Sequence, residues 1–155
     1  MKIEDEIKSN FRNDYHKALV NLYYTNNVIG EQFFKMMKEY GLAAPQFNVL
    51  RILRGQNTNA ASIGLIKERM LDKNSDVSRI VDRLYKKKLV ERKESKADRR
   101  QKDVIITKKG LELLEKMAIC EKKEDDVLSN LNSEEVKMLN ELLDKIRAKW
   151  SVHLL

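Results

Sequence analysis

Helix breakers are nearly missing from this chain: among 155 residues proline occurs once, at Pro45, and glycine five times. Proline removes a backbone donor and glycine loosens the backbone, so their scarcity predicts a mainly helical protein. Cysteine is as rare. The lone Cys120 excludes an intrachain disulfide and suits a reducing compartment. No apolar run approaches the eighteen or so residues that a membrane span needs. The opening MKIEDEIKSNF has no apolar signal core, so a cytoplasmic location with no membrane partner is expected.

Chemistry-bearing clusters are missing too. There is no glycine-rich phosphate loop, no HExxH and no Cys/His grouping of metal-ligand spacing, and His16 and His153 stand alone. An enzyme is not expected, nor a metal, a cofactor or a catalytic residue. Seven of the ten aromatics precede Gly41, and Tyr85 is the only one between Phe47 and Trp150. Proteins that read RNA or single strands usually stack bases on aromatics, which this region cannot supply.

What the chain has is positive charge in one place. Between Lys86 and Lys109, in KKKLVERKESKADRRQKDVIITKK, stand eleven Lys or Arg against four acids, an excess of seven. That equals the whole formal net charge of +7, so the rest of the chain is neutral. Most charge runs are merely solvated faces. This one follows two short helical patterns, ASIGLIKERML (61–71) and SDVSRIVDRLYKK (75–87), joined by Asp72, Lys73 and Asn74, the arrangement of a helix-turn-helix. In the second, Val77, Ile80, Val81 and Leu84 recur at helical spacing and face inward, which turns Asp76, Ser78, Arg79, Asp82, Arg83 and Lys86 outward. Ser75 or Asn74 is the expected N-cap.

LVERKES and QKDVIIT then read as two strands of a hairpin with KADRR at its tip. Upstream, helical spacing runs from about Ile3 to Tyr40, with Gly30 a possible kink, and Ala44-Pro45 opens a helix ending at Gly55. Downstream, Thr107 caps a helix through about Ser129, and Asn132 or Ser133 caps a last one carrying Val136, Leu139, Leu143 and Ile146. The fold class is therefore mainly α: a winged helix-turn-helix with a small β-hairpin wing, plus a helical dimerisation region from both termini. The expected divisions are 1–40, 41–107 (DNA-binding) and 108–155. Ile3, Ile7 and Phe11 near one end and Leu139, Leu143, Ile146 and Trp150 near the other exceed what one small domain can cover, so a dimer interface is expected there. A helix fits the major groove and a cationic wing the narrow minor groove, so duplex DNA is the expected partner.

The segment IVDRLYKKKLVERKESKADRRQKDVIITKKG resembles the signature of the MarR family of bacterial winged-helix regulators, with Asp98 and Arg100 as its Asp-x-Arg and Thr107 to Gly110 as its Thr-x-x-Gly. GLAAPQFNVLRIL is similar to that family's second helix, and the order of elements matches along nearly the whole chain. Two positions depart from the pattern. Lys88 stands where the family usually has Gly, and Ala44 where a hydroxyl residue commonly precedes the proline. The resemblance implies a homodimeric transcriptional regulator, a repressor, binding pseudo-palindromic DNA. It further implies base contacts from Ser75, Asp76, Ser78 and Arg79, and phosphate contacts from Ser62, Lys73, Arg83, Lys96, Arg99 and Lys102. Arg100 would enter the minor groove, oriented by Asp98. A small-molecule effector is implied as well, with Tyr15, His16, Tyr23 and Tyr24 as candidate lining residues. The rival reading is an architectural or protein-interaction winged helix without sequence preference.

Overall fold

A computed structural model describes residues 2–57, 59–95 and 102–151, and these form two compact units, 1–118 and 119–155. In the first unit the order is α1 (Ile3–Ile7), α2 (Asp14–Glu39), α3 (Ala44–Arg54), α4 (Ile63–Arg69), α5 (Val77–Lys86), β1 (Val90–Glu94), β2 (Lys102–Ile106) and α6 (Lys108–Lys116). α7 (Ala118–Asp126) and α8 (Ser133–Ser151) follow.

The long N-terminal helix expected from Ile3 to Tyr40 is two helices. Lys8 turns left-handed at φ 48°, and Asn13 starts α2 by accepting the His16 N–H at 2.9 Å. The break overrides an apolar period that runs through it, because an Asn cap supplies the oxygen that the first turn lacks. α1 folds back on α2 through Lys17–Glu4 at 2.5 Å and the Tyr24 hydroxyl, which donates to Glu6 at 2.9 Å. The Lys17 ammonium holds the Glu4 carboxyl below its ordinary range. A depressed folded-state carboxyl stabilises above its unfolded value and is lost as pH falls through the folded one, while Lys17, held above its ordinary range by Glu4, loses its share only as pH rises through its own value, so the tie fails in acid and in strong base.

α3 is the common floor of the unit and packs on α2, α4, α5, α6 and β2. It begins at Ala43, which offers no side-chain cap, while buried Gln46 accepts the Ala43 N–H at 3.0 Å. Proline lies in its first turn and Gly55 follows its end, as its sequence predicts. Val49, Leu50 and Leu53 are fully buried, as are Ile66 and Met70 at α4 and Val77, Val81 and Leu84 of α5, the two helices that pack on α3. β1 and β2 pair antiparallel with Val90 opposite Ile106 and Glu94 opposite Lys102. A third partner was not legible: Ala61 exchanges both backbone hydrogen bonds with Val104 at 2.8 Å, tying the entrance of α4 to the wing.

The helix expected from Thr107 to Ser129 is interrupted at buried Met117, where the Tyr40 hydroxyl donates to the Lys116 carbonyl at 3.3 Å. The division between the two units falls beside this break. In the second unit Asn132 caps α8, accepting from Glu134 N at 2.9 Å, while Glu135 accepts the Asn132 N–H at 2.8 Å, a reciprocal box.

Truncating Leu84, which is fully buried, is expected to cost about 2–5 kcal/mol of unfolding free energy. Urea denaturation of Leu84→Ala checks this, and Ser78→Ala on the opposite face should stay within about 0.5 kcal/mol of the parent.

Candidate nucleic-acid interface

α5 is short and its two faces differ sharply. Val77, Val81 and Leu84 are buried and Ile80 is half-buried, while Asp76, Ser78, Arg79, Asp82 and Arg83 are exposed. The expected inward stripe and outward face are therefore both present. The cap is neither Asn74 nor Ser75 but Asp76, whose Oδ1 accepts the Arg79 N–H at 3.1 Å. Ser75 is half-buried and donates instead to Asp72 Oδ2 at 3.1 Å, and Asp72 Oδ1 accepts the Asn74 N–H at 2.9 Å. Asp72 thus organises the turn and leaves the next acid to start the helix. Capping occupies one oxygen of Asp76, and the second remains free to accept.

The preceding helix is shorter than the expected 61–71, and Leu71 lies beyond it, 86% exposed, its N–H donating to Asn48 Oδ1 at 3.0 Å. Ser62 caps α4 by accepting the Leu65 N–H at 3.1 Å, and its hydroxyl proton stays available. Lys73 folds back so that its Nζ donates to the Glu68 carbonyl.

The wing is fastened to α5 by a contact that sequence reasoning missed. Arg92 on β1 pairs with Asp82 and lies 5.2 Å from the centroid of the Tyr85 ring. One outward residue of α5 and one cation of the basic stretch are thereby spent on each other rather than turned to a ligand. Ten residues separate them, so helix spacing does not reveal the pair. Lys102 lies 3.5 Å from Glu94 across the hairpin and remains half-exposed. Lys96, Asp98, Arg99 and Arg100 lie outside the described residues.

At the base of the wing the backbone is tightly cornered. Lys88 takes φ 61°, the left-handed region that glycine, the residue usual there in the family it resembles, enters without a steric penalty. Thr107 closes the corner: its N–H donates to the Leu89 carbonyl at 3.1 Å, its hydroxyl donates to the Lys88 carbonyl at 2.9 Å, and its oxygen accepts the Gly110 N–H at 3.0 Å. Gly110 permits the approach, since a Cβ there would sit 2.8 Å from Ile106 Cγ1 and closer still to the Leu89 carbonyl.

The other expected sites are only partly assembled within one chain. Ile3 is buried in the protomer, Ile7 and Phe11 are half-buried, and Phe11 packs edge-on against His16 at 5.9 Å. Leu139 and Leu143 are half-buried and Ile146 exposed, while the Trp150 and Cys120 side chains lie outside the described set. Tyr15 and Tyr23 are exposed, His16 accepts the Arg12 N–H at 3.3 Å, and Tyr24 lines a cavity of about 170 Å³ with Glu6 and Val28.

Comparison with known proteins agrees with this geometry. The MarR family model matches residues 42–102, from the loop before α3 into β2. The chain is 31% identical to the HTH-type transcriptional regulator MhqR of Bacillus subtilis over 119 residues, 76% of this chain and 81% of the relative. It is 32% identical to the HTH-type transcriptional regulator MgrA of Staphylococcus aureus over 128 residues, 82% of this chain and 79% of that one. Among solved structures, Bordetella bronchiseptica BpsR, whose DNA binding is regulated by 6-hydroxynicotinic acid, superposes with a TM-score of 0.72 at 26% identity. The match covers 84% of this chain and 98% of BpsR.

Lys88→Gly should raise stability by about 0.5–1 kcal/mol, since relief of the left-handed penalty exceeds the entropy that glycine adds to the unfolded chain. Gly110→Ala should lower it by about 1–3 kcal/mol through overpacking. Thermal melts of the two variants, moving in opposite directions, check the corner.

Proposed function

The chain belongs to the MarR family of winged-helix transcriptional regulators, and we propose that it acts as a homodimeric repressor on pseudo-palindromic duplex DNA. One observation carries the reading: α5 buries one face on α3 and leaves Asp76, Ser78, Arg79 and Arg83 exposed, and a wing of cationic sequence follows it. An α-helix fits the major groove, where guanine offers O6 and N7 to an arginine and cytosine offers N4–H to a carboxylate. Arg79 therefore reads guanine, Asp76 reads cytosine through its free oxygen, and Ser75 and Ser78 support the same edge. Ser62, Lys73, Arg83 and Lys102, together with Lys96 and Arg99 at the wing tip, hold phosphates, while Arg100, aligned by Asp98, enters the minor groove.

A second copy completes the molecule. α2 exposes Tyr15, Leu19, Tyr23 and Phe34, and α8 exposes Met138, Leu142 and Ile146, more apolar surface than a solvated helix retains. Ile7, Phe11, Leu139, Leu143 and Trp150 join that interface, whereas Ile3 serves the core of its own chain. A two-fold dimer places half-sites about 34–36 Å apart, one turn of DNA. The likeness to BpsR supports release by a small effector. Such a protein works in the cytoplasm and catalyses nothing. The architectural reading differs in its specificity ratio, which for a regulator reaches at least about 10³ over random duplex.

Fluorescence anisotropy on the chain's own upstream DNA and on scrambled duplex, across a salt series, tests the assignment. Arg79→Ala is expected to cost about 1–3 kcal/mol and relax one position per half-site. Arg83→Ala should weaken all sequences alike and reduce the salt slope by about one. Equal loss on every sequence for Arg79→Ala would remove it from the base-reading set.

A further inference from the structure

One exposed apolar side chain is accounted for neither by the core nor by a dimer. Among the described residues, the other large apolar side chains left in solvent lie on α2 or in 119–155, which the second copy proposed above covers, or, as Tyr85, beneath the guanidinium of Arg92. Leu71 is 86% exposed, in the turn between α4 and α5. Single exposed leucines are common, but this one is held in place. Its N–H donates to Asn48 Oδ1 at 3.0 Å, Met70 before it is buried, and Asp72 after it accepts the Asn74 N–H and the Ser75 hydroxyl through separate oxygens. With the backbone fixed on both sides, little ordering remains to be done when the side chain meets a partner.

Leu71 lines a groove of about 140 Å³ together with Ala44 and Pro45 at the start of α3, Met70, Asp72 and Ser75. Size, charge and position each narrow what the groove can hold. Small-molecule sites span about 300–1,000 Å³, so an effector of ordinary size does not fit. The only ionisable side chain in the wall, among the described residues, is the acid Asp72, which repels a phosphate. Ser75 belongs to the same wall, and Asp76, next in the chain, caps α5, so the groove adjoins the edge assigned to base reading. The fitting occupant is a small, neutral, apolar group displayed in the major groove. Base edges there carry one such group, the C5-methyl of thymine.

We propose that Leu71 reads a thymine C5-methyl in each half-site, an inference that rests on the sequence-specific DNA binding assigned above. The methyl leaves water against Leu71, in the groove that Ala44 and Pro45 also line. Arg79 and Asp76 select G·C pairs by hydrogen bonds, and Leu71 adds a position where thymine is chosen by apolar contact. Cytosine offers hydrogen at C5 and leaves the groove unfilled.

The test uses the full chain and the duplex returned by selection from random DNA, with each thymine replaced in turn by deoxyuridine, which lacks only the C5-methyl. Burying one methyl is worth about fourfold in affinity. By fluorescence anisotropy the parent should lose about fourfold at one thymine position per half-site. Leu71→Ala should melt like the parent, bind the unmodified duplex about fourfold more weakly per half-site, and lose nothing further at that position, while deoxyuridine elsewhere acts as it does on the parent. Leu71→Met, which keeps an apolar contact, should retain part of the dependence. Affinity unchanged in Leu71→Ala, or a loss that leaves every deoxyuridine penalty in place, would overturn the proposal; the second result would assign the side chain to the sugar or to packing. If selection returns no preferred duplex, the regulator reading fails and this contact fails with it. A preferred duplex in which no thymine penalty depends on Leu71 removes the contact alone.

Discussion

The direction in which α5 points its polar residues is set by the burial of its other face. Val77, Val81 and Leu84 are sealed in the core that α3 floors. Fully burying each aliphatic side chain is worth roughly 1.5–3 kcal/mol, whereas an exposed ion pair contributes about 0–1 kcal/mol. The core therefore fixes the helix in rotation. The exposed Asp82–Arg92 pair adds orientation rather than strength, and its main effect is to hold the first strand of the wing at a set distance from the reading helix.

The wing depends on a second constraint, at its base. A lysine held left-handed at Lys88 is tolerated because Thr107 and Lys109 grip the carbonyls on either side of the bend and Gly110 lets the chain close over Leu89. Strain of this kind persists where the surroundings over-determine it.

Much of this was legible beforehand, for identifiable reasons. The stripe of α5, the β-branched run Val104 to Ile106, and the caps at Thr107 and Asn132 are local patterns, and local patterns survive folding. Features that depend on distant partners were hidden. Ala61 finds Val104 across the fold, Asp82 finds Arg92 across the wing, and Tyr40 meets the helix break at Met117. The break after Ile7 and the choice of Asp76 over Ser75 as cap fail for another reason: several neighbouring polar residues could each cap, and turn geometry selects among them. Of the candidate site, Ser78, Arg79 and Arg83 emerged on the face expected, while Arg92, counted only in the charge of the basic stretch, pairs with Asp82.

The central claim is that two copies of this one exposed helix face read DNA by sequence. Selection of bound sites from a pool of random duplexes, using the full chain at physiological salt, tests it most directly. The account predicts enrichment of a pseudo-palindrome whose half-site centres lie about 10 base pairs apart, each half containing guanine at the position Arg79 reads. A pool that stays random after repeated selection, although the protein still binds DNA, would contradict it.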